Sequence, residues 1–178
     1  ALAAVERGED PATERQADRD AMTLVELARR FEEEHISVRL KPLTQSGYRP
    51  YVRRFILPAL GKFVVADVTR ADVGRFHHRL HNTPYLGNNV LAVLSKMFTL
   101  AELWGLRPDG SNPCRHITKF PEKRRERFLG GAELATLGSV LAQVEAEGIE
   151  DSYTIAAIRL LIFTGCRRSE ILKLRWEH

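Results

Sequence analysis

Arg167 is the residue of this chain whose neighbours in the sequence best suit a role in binding or catalysis. It follows an apolar stretch, Ile155 to Phe163, and a Thr-Gly pair that ends a predicted helix, and Glu170 follows three positions later in a short amphipathic helix. An arginine at such a helix start has its guanidinium and the neighbouring amides facing the same way, which suits a bound phosphate. The alternative is a helix-entry arginine in a surface ion pair with Glu170, worth roughly a few tenths of a kcal/mol.

The positive charge of the chain is concentrated in its middle. The net charge is +4, but residues 1–22 carry −3 and residues 129–178 carry −2, whereas residues 23–128 hold nineteen basic and ten acidic side chains, net +9. Such a block is the electrostatic footprint of a nucleic-acid binder, because each neutralised phosphate releases counterions. The alternative is a solubilising surface.

We predict that double-stranded DNA is the partner and that basic side chains in and near this block contact its phosphates. A solvated surface position is the alternative for each of them. The candidates are Arg49, Arg53, Arg54, Lys96, Lys119, Lys123, Arg124, Arg125 and Arg127.

Metal and cofactor sites are not expected. His77 and His81 are spaced i,i+4, which is compatible with a metal, but no cysteine or carboxylate is spaced to complete a ligand set. Cys114 and Cys166 lie in unlike contexts and predict free thiols in a reducing cytoplasm. No apolar run approaches the roughly 18 residues of a membrane helix, so no membrane partner is expected. Because the chain starts at Ala1 rather than Met, we expect a piece of a longer protein.

Capping signals and helical periodicity predict four helices over residues 23–105. The first starts at a capping box, Thr23 with Glu26, and runs to about residue 35; the second starts after residue 44, is interrupted by Pro50 and ends near residue 61. The third starts at Thr69 through another capping box. The fourth starts at Thr83, with a capping hydroxyl and proline next, and is closed by a glycine at residue 105.

The domain prediction follows from these elements. Residues 1–22 are a polar, disordered lead, residues 23–105 a compact four-helix domain, and residues 106–127, rich in proline, glycine and basic residues, a linker. Residues 128–178 begin a second domain, with helices over about 132–146 and 153–163. The predicted fold class is all-α.

The segment from Thr164 to Trp176 resembles the first catalytic-arginine motif of the tyrosine recombinase (phage integrase) family. Further matches support this resemblance: Gly61–Thr69 is similar to the family's loop between its second and third helices, Leu91–Trp104 to its fourth helix, and Asn112-Pro113 to the end of its first domain. The matching spans about residues 23–178.

The resemblance implies a four-helix core-binding (SAM-like) domain followed by the helical start of a catalytic domain, the two closing around duplex DNA. Arg167 would be the first of two arginines on the scissile phosphate, and Glu170 would hold the local turn. The implied activity is site-specific DNA recombination through a 3′-phosphotyrosyl intermediate, without metal or cofactor and with self-association of the full-length parent on DNA.

The family's other catalytic elements do not occur in this sequence. A β-hairpin lysine, a His-x-x-Arg motif and the nucleophilic tyrosine all follow the first arginine in that family, whereas every tyrosine here precedes Arg167. We therefore expect this chain to bind DNA without cutting it. Two alternatives stay open, a helical DNA-binding regulator or excision accessory protein, and a protein-interaction bundle without a nucleic-acid role.

Overall fold

The computed structural model describes residues 21–123, 126–175 and 177. Over these residues the chain is helical and contains no β-strand, only an isolated antiparallel bridge between Thr23 and Val64. The all-α prediction is confirmed. The chain divides into two compact units, the first of which ends at Lys123. The lead predicted for residues 1–22 lies almost wholly outside the described residues.

Within the described residues, the first unit contains four helices and the second contains three. The segments Glu32–Ile36 and Val52–Ile56, each inside a longer helix, have π-helical hydrogen bonding. Helix α1 comprises Leu24–Phe31, Glu32–Ile36 and Ser37–Arg39, α2 comprises Pro42–Tyr51, Val52–Ile56 and Leu57–Leu60, α3 is Arg70–His78, and α4 is Pro84–Leu103. Helix α5 is Gly131–Ala146, α6 is Ser152–Thr164, and α7 is Arg168–Ile171. None of the described helices has both the length and the apolar character needed to span a membrane.

Both predicted capping boxes are present. The Glu26 carboxylate accepts the Thr23 backbone N–H at 2.7 Å, and the Thr23 hydroxyl accepts the Glu26 N–H at 3.4 Å. Thr69 and Asp72 repeat this arrangement at α3. The predicted hydroxyl cap of α4 is wrong, because the Thr83 hydroxyl donates backwards to a carbonyl and makes no cap hydrogen bond.

The first two helices differ from their predicted bounds. Helix α1 continues to Arg39, past the predicted end near residue 35, through its π-helical segment. Helix α2 begins at Pro42 instead of after Thr44, because proline suits the first helical position, where no N–H partner is required. It also runs through Pro50, which lacks the N–H for one intrahelical bond, and the π-helical turn begins two residues later.

The core of the first unit lies between α4 and the other three helices. Helix α4 contributes Leu94, Met97 and Phe98, each fully buried, and these pack in one cluster with Phe31 of α1 and Ile56 of α2. Burial of apolar surface stabilises this arrangement by about 25 cal/mol per Å² removed from water. Met97 and Phe98 are therefore core residues of the first unit.

The segment that we term the strap, residues 106–123, belongs to the first unit. We predicted a linker over residues 106–127, because few apolar side chains there could pack against the helices. Residues 106–123 are attached partly by polar side chains instead. The side chain of Asn112 is buried and donates to the Ser95 carbonyl at 3.0 Å and to the Thr99 hydroxyl at 3.1 Å. The Arg107 guanidinium donates to the carbonyls of Ala66 and Ser111. Residues 106–123 are thus held to the four-helix bundle.

The second unit is small and sparsely buried within the described chain. Leu141, Ile155 and Ile171 are its buried apolar residues there. An ion pair of 2.7 Å between Arg159 and Glu145 joins α6 to α5. The helices lie close to the predicted ranges because their apolar periodicity and end signals are local.

A matched pair of leucines on α4 tests where the core lies. Leu94→Ala should lower the free energy of unfolding by about 2–5 kcal/mol, because Leu94 is 0% exposed and its truncation leaves a cavity. Leu103→Ala should change it by less than about 0.5 kcal/mol, because Leu103 is 76% exposed. Urea denaturation followed by circular dichroism measures both, and similar losses from the two variants would contradict this packing.

Candidate functional site

A sharp turn between α6 and α7 positions Arg167. Helix α6 ends at Thr164, and Gly165 adopts a left-handed conformation with φ of 65°, where its N–H donates to the Leu161 carbonyl at 3.1 Å. This backbone conformation favours glycine because a side chain would strain it. Helix α6 therefore stops at this glycine, and Arg167 lies at the start of α7.

Glu170 fixes the backbone of this turn. Its carboxylate accepts the Arg167 backbone N–H at 2.9 Å, and the Arg167 carbonyl accepts the Glu170 N–H at 2.8 Å. The Arg167 guanidinium lies 3.5 Å from the same carboxylate, but its side chain is 86% exposed. The surface ion pair and an accessible guanidinium thus coexist, since an exposed pair of this kind is weak and leaves donors free.

Two cations of the first unit, one on α1 and one on α4, act on the same histidine. The charges of Lys96 on α4 and Arg39 on α1 reach His35: burial is the main cause that lowers the pKa of His35, and these two cations lower it further. The His35 ring also stacks on Phe31, with centroids 5.2 Å apart. We term His35, Arg39 and Lys96 the His35 patch.

Sequence reasoning selected Lys96 but missed the other two members of the His35 patch. Their i,i+4 spacing at the basic end of α1 was the available signal. It went unused because α1 was expected to end near residue 35. The approach of this helix end to the middle of α4 is a tertiary feature that no local pattern contains.

The other predicted DNA contacts do not gather at one place. Arg49 is partly buried and pairs with Glu32 at 2.6 Å, so part of its charge serves to join α2 to α1. Arg53 and Arg54 are exposed on α2, where Arg54 lines a shallow groove together with Arg79, the residue that follows α3.

Two exposed lysines of the predicted set, Lys119 and Lys123, lie on the strap. Arg127 belongs to the second unit, where it pairs with Glu133 and remains 79% exposed. Arg124 and Arg125 lie outside the described residues. The predicted contacts that the structure describes therefore lie on α2, on α4, on the strap and at the start of the second unit.

The three histidines near the end of α3 do not form one cluster. His77 is buried, bonds the Asn88 amide oxygen at 3.3 Å and has a lowered pKa, mainly because of burial. His81 lies beyond the end of α3 and is exposed, with its ring stacked on His78. The shared face expected for His77 and His81 is therefore not formed. Within the described residues, no group of three or more His, Cys, Asp or Glu side chains is arranged to hold a metal ion.

Comparison with known proteins identifies the fold. No protein-family model matches the chain, and no curated protein sequence matches it. A lambda integrase dimer bound to a COC′ core site superposes with a TM-score of 0.75 and 19% identity, over 99% of this chain and 49% of that one. A lambda integrase tetramer bound to a Holliday junction gives a TM-score of 0.71 and 19% identity, over 89% and 45%.

The chain is related in fold to the tyrosine recombinases, or integrases, and the relationship expected from the Arg167 motif is confirmed at the level of fold. It spans about half the length of the lambda integrase chains that it matches. The roles of the individual site residues remain predictions.

The two cysteines should differ sharply in reactivity. Cys166, one residue before Arg167, is exposed, whereas Cys114 in the strap is buried and burial raises the pKa of its thiol to about 12. Because the thiolate is the reactive form, a disulfide reagent at pH 8 should modify one thiol per chain in the folded protein and two in denaturant. Rapid modification of both thiols in the folded chain would contradict the burial of the strap.

Proposed function

We propose that the first unit binds double-stranded DNA and that the chain is the DNA-binding part of a site-specific recombinase. The observation that carries this proposal is the fold, which is shared with a lambda integrase solved on a DNA core site, and the net charge of +9 over residues 23–128 adds to it. The His35 patch is the proposed contact: burial mainly lowers the pKa of His35, the charges of Lys96 and Arg39 lower it further, and a polyanion that neutralises these charges gains affinity.

Helix α4 gives this interface its rigidity. Lys96 is half-buried. Its neighbours on the same helix, Val93, Leu94 and Met97, are buried in the core. A cation on a rigid helix loses less conformational entropy on binding than one on a free loop. Phosphate contacts of this kind position the protein on a duplex, and base contacts in the major groove would add sequence preference.

Arg167 has a separate role in this proposal. Its exposed guanidinium holds a DNA phosphate, and Glu170 keeps the turn that presents it, through the 2.9 Å bond to the Arg167 backbone. The Glu170 carboxylate is the competitor that a phosphate must displace from the guanidinium. We also propose that the parent protein self-associates on DNA, as do the lambda integrase dimer and tetramer in the matched structures.

The salt dependence of duplex binding tests the proposal. If about five phosphates are neutralised, the slope of log K against log salt should be about −4 to −5. The double variant Arg39→Ala, Lys96→Ala should weaken binding and reduce the size of that slope by about 2, because two contacts are lost. Fluorescence anisotropy with a labelled duplex of generic sequence measures both quantities.

Arg29→Ala with Lys62→Ala is the matched control, because it removes the same charge. Val25 of α1 packs against Gly61, which places Lys62 near the start of that helix, and Arg29 lies about 15 Å along it from Arg39. This control should leave the slope within about 0.5 of the wild-type value. Absence of binding even at low salt would overturn the DNA-binding proposal and favour a protein-interaction bundle.

Duplex affinity should also depend on pH through His35. The pKa of His35 is lowered in the free protein, and a phosphate at the patch would raise it, so DNA binding takes up a proton. Affinity should therefore rise as pH falls from 7.5 to 5.5. His35→Phe, which keeps a ring against Phe31, should flatten this rise, and an unchanged pH profile in that variant would place the phosphates elsewhere.

A further inference from the structure

The side chain of Asn88 on α4 binds the backbone of a single strap residue through both ends of its amide. Asn88 Oδ1 accepts the Phe120 N–H at 3.0 Å, and Asn88 Nδ2 donates to the Phe120 carbonyl at 2.9 Å. Asn88 Nδ2 also donates to Oε1 of Glu122 at 2.7 Å. Asn88 itself is only 4% exposed. It therefore gives a hydrogen-bond partner to both backbone polar groups of a residue that belongs to no helix or strand.

The Phe120 ring reinforces this attachment. It stacks on His77 of α3, with centroids 4.1 Å apart and an interplanar angle of 18°. Gly87 of α4 provides the space for it, since a Cβ there would lie 3.0 Å from a ring carbon of Phe120. The strap is thereby fixed at the corner between α3 and α4 by hydrogen bonds and by packing.

The fixed residue is flanked by cations. Lys119 precedes Phe120 and Lys123 follows three positions later, and both lysines are exposed. Attachment of Phe120 and Glu122 to the bundle limits the positions that the two ammonium groups can reach. Cations held in this way lose less conformational entropy when they bind an extended polyanion than cations on a free linker.

We propose that Asn88 is a positioning residue for DNA binding. It holds the strap so that Lys119 and Lys123 form a preorganised pair directed at one phosphodiester backbone of a duplex. The proposal rests on the proposed function, because it assigns the strap to the same DNA complex as the His35 patch. It adds that a buried neutral amide, without contact to DNA, determines part of the affinity.

Hydrogen exchange tests the attachment without DNA. In the full chain, Asn88→Ala should speed exchange of the Phe120 amide by about tenfold, since its only described acceptor is lost. Trypsin should then cut faster after Lys119. The matched control, Asn82→Ala, removes an exposed amide before α4 and should change neither rate. Unchanged exchange of Phe120 in the folded Asn88→Ala variant would overturn the attachment.

A double-mutant cycle tests the positioning role. Asn88→Ala should weaken binding of a generic duplex by about threefold to tenfold in the wild-type background, and by less than about 1.5-fold when Lys119 and Lys123 are both alanine. An equal loss in both backgrounds would mean that Asn88 acts only through general stability and would overturn the proposal. If Asn88→Ala speeds the exchange of the Phe120 amide but leaves duplex affinity unchanged, the positioning role is overturned as well.

Three further outcomes are informative. If Asn88→Ala does not fold, Asn88→Ser carries the same cycle, because it removes the amide that bonds the Phe120 backbone and leaves a small polar side chain in the buried position. If the wild-type chain binds no duplex, the proposed function fails and the positioning role fails with it, whereas the exchange of Phe120 still reports on the attachment. If the wild-type chain binds and the cycle shows no coupling, only the positioning role fails.

Discussion

The burial of one face of α4 against the other three helices is the constraint on which the first unit depends. Val90, Leu94, Met97 and Phe98 supply that face, and each is fully buried. The same helix carries Lys96 on its less buried side, so the core that gives the domain its stability also fixes the position of a cation that we propose contacts DNA. The remaining surface of α4 is used to attach the strap through polar side chains.

Buried polar side chains, and not apolar packing alone, attach the strap to the four helices of the first unit. Asn88 and Asn112 are 4% and 5% exposed, and their side chains bind backbone groups of the strap that no helix or strand satisfies. Buried polar groups of this kind are costly unless fully paired, and here both are paired. Basic residues take part as well: the Arg107 guanidinium is occupied by backbone carbonyls, so it contributes to structure and not to a free cationic surface.

The sequence allowed prediction of features that depend on local chemistry. The capping boxes at Thr23 and Thr69 and the turn held by Glu170 each involve residues three positions apart, so spacing alone indicates them. The attachment of the strap was missed because Asn88 lies 32 residues from Phe120, and a single asparagine in a helix gives no sign of so distant a partner. The His35 patch was missed for the same reason, and the functional role of Arg167 stays a prediction because its turn alone does not identify a ligand.

The central claim is that cations fixed on the first unit contact the backbone of a DNA duplex. A titration of the isotope-labelled chain with a short generic duplex, followed by NMR of the backbone amides, locates that contact directly. The account predicts salt-sensitive shift changes concentrated around Arg39, Lys96 and Lys119. Changes confined to other surfaces of the first unit, or none at low salt, would contradict it.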